Sequence, residues 1–575
     1  MPDRISRAEH ALRHGPTAGD RVRLGDTDLW LHIDVDVTAI GDEPRWGFGK
    51  DFRSRMTQRD RTPRDSELDA VIAGAIVVDP LLGVLKADIG IKEGRIVGVG
   101  RAGNPDITDG VDLTIGPNTW PIPCHGFIAT AGGVDSHVHL LSPRLVPVAL
   151  SAGVTTLITA GFEEPPSRMH RTLEAFEAFP VNVGLQASAR SETRAQAESV
   201  IEAGAIGLKV HEDWGAYPEL IDRTLAVADA YDVAVCLHTD GLNESTELDG
   251  TVAAIDGRAV HAYHVEGAGG GHVPDLLALV REPNVICSST TPGIPFARAT
   301  AAEHLDMIQI VHETNPALSD DVDAARERIR PWTMAAEGPL HELGAIQLIN
   351  SDSQGMGRIG ETIRRTWQLA DAMKAWRSTA DGAGWPDAPV VGTPAGVAGS
   401  GPADNDRILR YLAKYTIDAA RVHGIASDVG SLAPGRLADI VLWHPASFGV
   451  RPALVVKAGV VAWGPTGSGN ASVHLAQPTA LGPDWGAVGA APSALSVIFA
   501  SLAADEAGLR ETLRTRRSVV PVRAIRGVTR GSLVANGATA SIDVDPDRGE
   551  VRLGGRVLRA APVDRVPLSR RYLLA

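Results

Sequence analysis

The stretch Gly133-Val134-Asp135-Ser136-His137-Val138-His139 follows the apolar run Phe127-Ile128-Ala129-Thr130. Residues two apart on a strand share a face, so the strand predicted here projects His137 and His139 side by side at its end. Paired imidazoles in that position are a metal-ligand arrangement, with two incidental histidines as the plain alternative. Four further segments repeat the pattern. Ile206-Gly207-Leu208-Lys209-Val210-His211 ends an apolar run on a lysine, with a histidine two residues on. Val235-Cys236-Leu237-His238 and Val260-His261-Ala262-Tyr263-His264 end two more, and Ile346-Gln347-Leu348-Ile349-Asn350-Ser351-Asp352 ends another. Barrel active sites are assembled from the C-terminal ends of different strands. Here each run delivers a His, Lys or Asp at its end, which makes coincidence the poorer account.

Outward from these segments, short apolar runs alternate with helical patterns over 128–425. One such helix is predicted over Leu220–Ala230, where apolar residues recur at three and four. That alternation predicts a (β/α)8 TIM-type barrel. Gly, Ala and Pro crowd 378–404 with little periodicity, so this stretch reads as a flexible insertion. On either side lie strand-rich blocks. Ala87–Val97 alternates around a Glu-Gly turn, a hairpin signature. Downstream, Gly435–Trp443 and Ala453–Val461 are short, apolar and β-branched. Residues 1–127 and 426–575 are therefore expected to build one small flanking β-sandwich domain from both ends of the chain.

The chain has 575 residues, and its 55 basic against 70 acidic side chains leave a net charge of −15. Nucleic acid or an anionic membrane would call for a basic face, so neither is expected as a partner. Cys124, Cys236 and Cys287 are widely spaced without a CxxC pair, so neither a disulfide framework nor a cysteine zinc site is expected. The first ten residues lack the apolar core of a signal peptide, and cytoplasmic location is the expectation.

Lys209 is the informative member of the set. A free ammonium cannot bind a cation, so this lysine is neutral, salt-bridged or modified. Reaction with carbon dioxide would make a carbamate whose two oxygens bridge two metals. The Gly267-Ala268-Gly269-Gly270-Gly271 run lacks the Lys-Ser/Thr of a phosphate loop. His10, His14, His170, His341, His423, His444 and His474 lie outside the strand-end pattern and read as surface or satisfied histidines.

With HGPTAGDRVRLGDTDL from His14, AGGVDSHVHL, EAGAIGLKVHEDWG, HTDGLNES, HAYHVEGAGGGH, NSDSQGMGR and RYLAKYTIDAA, the chain closely resembles the urease alpha (catalytic) subunit, within the amidohydrolase superfamily. The resemblance implies two nickel ions bridged by an N6-carboxylated Lys209, one held also by His238 and His264, the other by His137, His139 and Asp352. A hydroxide between them would attack urea, giving ammonia and carbamate. His211 would bind the carbonyl oxygen, and the glycine run holding Gly269 would let backbone approach the substrate. Gly355, also expected at the substrate, stands where the family usually has alanine and slightly widens backbone freedom there. His312 would be the general acid on a mobile flap, supported by Asp213 and Arg328. It further implies beta- and gamma-type small subunits, metal-loading accessory proteins and an oligomer of heteromers.

Two departures qualify the resemblance. Val311 stands where the family carries a flap cysteine, with Glu313 where a second histidine is usual. After Thr156 the chain reads Ile158-Thr159-Ala160-Gly161-Phe162-Glu163-Glu164-Pro165-Pro166, shorter than the family's segment and different in composition. Two other readings therefore stand beside a nickel urease: a binuclear enzyme for a substituted urea or another small amide, and an inactive urease-like assembly subunit. Val311 leads to a direct expectation. Thiol reagents will not inactivate the enzyme through the flap; rapid inactivation traced by peptide mapping to that segment would contradict this.

Overall fold

The computed structural model describes residues 5–38, 55–161, 164–190, 193–238, 248–267, 275–386, 404–470 and 479–569. Gly269 and residues 387–403 of the expected insertion lie outside these, as does His474. Residues 378–386 continue as turns from the helix Thr362–Arg377. Among the described residues, no helix is long and apolar enough to cross a membrane.

The barrel strands are β1 (Gly133–Val138), β2 (Val154–Thr159), an interrupted β3 (Asn182–Gly184 and Gln186–Ser188), β4 (Gly207–Val210), β5 (Ala234–Leu237), β6 (Val260–Ala262), β7 (Val285–Thr290) and β8 (Leu348–Asn350). Each pairs in parallel with the next. Parallel strands covered on both faces read as continuous apolar runs, which is why β5 is buried at all its positions. The ring closes just past the ends of β1 and β8. There Val138 bridges Ser353, the Asp352 amide donates to the His137 carbonyl at 2.9 Å, and the His139 amide donates to the Ser353 carbonyl at 2.9 Å. Closure thus brings two strand-end histidines and the aspartate into one corner.

The predicted helix runs over Pro218–Tyr231, with proline in its first turn, and buries Leu220, Ile221, Leu225, Val227 and Ala228 against the barrel. It ends at Asp232 in the left-handed region (φ 50°), whose carboxylate accepts from the amides of Ala524, Ile525 and Arg526. That contact pins a segment nearly three hundred residues downstream to the barrel wall.

The flanking sheet joins both ends of the chain. Ile128–Ala131 runs parallel to Ala70–Asp79 and antiparallel to Ile440–Trp443. Beyond these lie Gly83–Lys92 and Arg95–Gly100 on one side and Leu454–Lys457, Val460–Thr466 and Ala480–Pro483 on the other. The predicted hairpin turn is present, with Glu93 and Gly94 both at positive φ (49° and 74°). Ile128–Ala131 passes into β1 through Gly132, where an added Cβ would lie 2.1 Å from Thr155 Oγ1. The first metal-type strand is therefore anchored directly in the flanking sheet. The C-terminal stretch also has a second role. Val497–Ala500 pairs in parallel with the first half of β3, and Ser518–Pro521 extends that pairing, so these strands belong to the barrel sheet.

A buried ion cluster fixes the approach to β8. Glu342 ends the helix Pro331–Glu342 and faces Arg377, Arg407 and Arg410 at 3.2, 2.6 and 3.0 Å. Burial alone would raise its carboxyl, but Arg410 and Arg407, with Arg377, hold it at about 2. Its folded value lies below the unfolded one of about 4.3, so its stabilisation is complete above that pH and is lost as pH falls toward about 2. Glu342→Gln is expected to cost on the order of 3 kcal/mol near neutral pH. In thermal melts the gap from the parent should narrow below about pH 4; a gap independent of pH would refute the linkage.

Candidate functional site

The strand ends converge as alternation predicts, with one exception. His137 lies in β1 and Lys209 in β4, while His139, His211 and His238 follow β1, β4 and β5 directly. His264 and Asp352 lie past β6 and β8 with positive φ (33° and 54°). Such backbone is uncommon for residues other than glycine, and it turns both side chains into the cleft. Asp352 Oδ1 lies 3.3 Å from His137 Nε2 and 3.1 Å from His139 Nε2. The His264 ring is 4.4 Å from that of His238 and 5.7 Å from that of His137, centroid to centroid. One ligand atom each from His137, His264 and Asp352 falls within a 4.8 Å circle.

Lys209 lies at the middle of this group, wholly buried, and its Nζ has no hydrogen-bond partner among the described residues. It sits 3.7 Å above the centroid of the Tyr263 ring, on which His137 also stacks at 3.8 Å. Tyr263 is held in turn by donating to the Ser136 carbonyl at 2.9 Å and accepting from Gln186 Nε2 at 3.2 Å. Burial pushes the Lys209 ammonium down to about 7, so a neutral amine is populated near neutral pH. Burial, reinforced by Lys209, lowers His137 and His238; burial with neighbouring His238 lowers His211 and His264. Burial favours the neutral form of these imidazoles, in which a ring nitrogen can ligate a cation, although the His211 Nδ1 lone pair is taken by the Asp213 amide. Burial opposes ionisation of Asp352, yet His139, His264 and Lys209 hold it below the usual carboxylate range. His139, with the neutral His137, His238 and His264, the Asp352 carboxylate and the Lys209 amine, completes a donor set suited to two cations.

The remaining expected site residues line or flank the cleft. His211 Nδ1 accepts from the Asp213 amide at 3.1 Å, with the Asp213 carboxylate 3.5 Å away. His312 caps the C-terminus of the helix Thr300–Val311, and burial followed by Arg328 lowers its pKa. Arg328 pairs with Glu212, whose carboxylate also lies 3.0 Å from His238 Nε2. The cleft holds about 310 Å³ and is lined by His137, His139, His211, His238, His264, His312 and Asp352, with the apolar Leu141, Val311 and Met356. The three cysteines are buried.

Sequence reasoning missed Glu212 and Tyr263. Glu212 directly follows His211 and is wholly buried, a placement that its charge argues against until Arg328 is seen beside it. The altered segment after β2 is also tied to this region. Glu164 accepts from the Ser188 amide and hydroxyl and pairs with Arg190 at 2.9 Å; Arg190 lies 5.4 Å over the Trp214 ring. Two expectations are corrected: His423 is wholly buried, and His10 half-buried, each with both ring nitrogens lacking a hydrogen-bond partner among the described residues, so neither is a surface or satisfied histidine.

Residues 128–471 match the amidohydrolase family, and residues 3–122 match the urease alpha-subunit N-terminal domain. Among solved structures, the chain is similar to a D-hydantoinase (dihydropyrimidinase) from Thermus sp., at 16% identity and a TM-score of 0.48, covering 68% of this chain and 95% of that one. It is also similar to dihydropyrimidinase from Brevibacillus agri NCHU1002, at 14% identity and a TM-score of 0.47, covering 68% of this chain and 94% of that one.

Gly355, where the urease pattern has alanine, tests how tightly the corner is packed. An added Cβ would lie 2.5 Å from Asp352 Oδ1 and 2.8 Å from His139 Cδ2. Gly355→Ala should therefore destabilise the metal-free protein by about 1–3 kcal/mol in denaturant unfolding. Unchanged stability would mean that the Asp352–His139 pair moves aside freely.

Proposed function

We propose that this chain, which belongs to the amidohydrolase family, hydrolyses urea to ammonia and carbamate with two nickel ions and a carboxylated Lys209. The observation that carries the reading is the buried, unpartnered Lys209 amine among neutral imidazoles and Asp352. In water an amine of this kind would be charged; here it is available as the nucleophile that takes up carbon dioxide. Lys209, His238 and His264 would hold one ion, and Lys209, His137, His139 and Asp352 the other. Bound nickel supplies Lewis acidity to the carbonyl and lowers the pKa of water.

The chain's own groups then divide the remaining work. His211 is neutral and accepts a hydrogen bond at Nδ1, which leaves its hydrogen on Nε2 as a donor to the urea oxygen. His312 delivers a proton to the departing nitrogen, which is a poor leaving group as an amide anion. Asp213 and Arg328 bias its charge from either side. Glu212 keeps Arg328 and His238 oriented.

The match of residues 3–122 supports assembly with beta- and gamma-type small subunits and loading by accessory proteins. A second reading, a substituted urea or other small amide, is favoured by the cleft: its 310 Å³ and the apolar Leu141, Val311 and Met356 leave room beyond urea.

The test is reconstitution of the metal-free chain, with its partner subunits, in nickel and bicarbonate. Ammonia release is then measured from urea and from a panel of small amides. Two nickel ions per chain with ammonia from urea are expected; turnover of only the larger amides would select the second reading. No metal uptake would sink both. Lys209→Ala should abolish turnover together with nickel retention. His312→Gln should lower kcat about 10²–10⁴-fold with KM little changed.

A further inference from the structure

A second group of ligand-type side chains lies deeper in the barrel. Strand register places Cys236 beside Lys209 and His261 beside Cys236. His423 reaches them from the C-terminal end of the helix Ile417–Val422. Cys236 Sγ is 4.0 Å from His261 Nδ1, and the rings of His261 and His423 are 5.4 Å apart. One ligand atom from each of the three falls within 4.8 Å of the others.

All three side chains are buried, with Cys236 and His423 at 0% and His261 at 2% exposure. His261 Nε2 and both nitrogens of His423 have no hydrogen-bond partner among the described residues. Each buried polar atom left unpaired costs about 1–3 kcal/mol, and a core position needing only bulk is served better by an apolar side chain. An ion held by one atom of each residue would take up one of the unpaired His423 nitrogens. Beside His261, though bordered by neither Cys236 nor His423, a void of about 10 Å³ is walled by Ala259, Val422, Ile525 and Arg526. That is about the space of one water-sized species.

The geometry points to a third metal site, in which Cys236, His261 and His423 hold one borderline-soft ion of the zinc class beneath the catalytic cleft. One thiolate and two imidazoles suit such an ion, with a fourth position left open. Bond lengths of about 2.3 Å to sulfur and about 2.0 Å to nitrogen put tetrahedral S and N atoms about 3.5 Å apart. The observed 4.0 Å pair closes to that distance with a small rotamer adjustment. Binding releases the thiol proton to solvent and leaves the site with a net single positive charge. The donor set also differs in kind from the nitrogen and oxygen ligands above it, so the two sites are spectroscopically separable.

The experiment titrates the metal-free, full-length chain with Co²⁺ under anaerobic conditions. Only thiolate ligation produces an intense sulfur-to-cobalt charge-transfer band, and the cleft above is lined by no cysteine. The parent is expected to bind one Co²⁺ more per chain than Cys236→Ala and to show a band that this variant lacks. The band should survive in Lys209→Ala, so failure of this site and failure of the catalytic reading are distinguishable. His423→Phe should weaken or remove the band; if that variant does not fold, Cys236→Ala alone decides. No band in the parent overturns the proposal, as does a band that persists without Cys236.

Discussion

A primary amine held at zero exposure with no hydrogen-bond partner among the described residues is the constraint around which this molecule is arranged. Burying it as an ammonium would be prohibitive, and burying it neutral still forfeits its hydrogen bonds to water. The fold tolerates Lys209 because an aromatic face lies against it and because its neighbours share one environment. Tyr263 supports both Lys209 and His137, and its hydroxyl is fixed from two sides by Ser136 and Gln186. Even the altered segment after β2 answers to the lysine. Gly161 has φ 93°, and a Cβ there would lie 2.3 Å from Lys209 Cβ. Only glycine meets both demands.

Closure of the barrel supplies the second half of the arrangement. Because β1 and β8 meet through backbone hydrogen bonds at residues 137–139 and 352–353, the carboxylate and both histidines are set by the main chain. Their positions depend little on long flexible linkages. Anchoring comes from outside the barrel as well: Ile128–Ala131 in the flanking sheet leads into β1, and the Glu342 cluster holds the helix before β8. A distant sheet and a buried ion cluster thereby bear on ligand geometry.

The mouth of the cleft follows different rules. Leu141, Ile310 and Val311 are exposed apolar side chains there, and the Glu164–Arg190–Trp214 chain ties the segment after β2 to the wall that carries His211. The polar strand-end residues of the centre and the apolar residues of the rim are therefore separate sets of side chains.

Much of the centre was legible in the sequence alone. Apolar runs that end on His137, His139, Lys209, His238, His264 and Asp352 announce strand ends, and the (β/α)8 barrel follows from their alternation with helices. Both depend on local periodicity, which one segment displays by itself. What the sequence could not display depends on direction and on distance along the chain. Strict alternation places His261 and Tyr263 on one face and His264 on the other; the positive φ at His264 turns it inward and lets all three serve the barrel interior. Glu212 became intelligible only beside Arg328, more than a hundred residues away. His423 met Cys236 and His261 only once its helix had packed against the barrel, and Val497–Ala500 joined β3 across some three hundred residues. Pairings of that kind are settled by packing, because burial rewards a contact that no local pattern encodes.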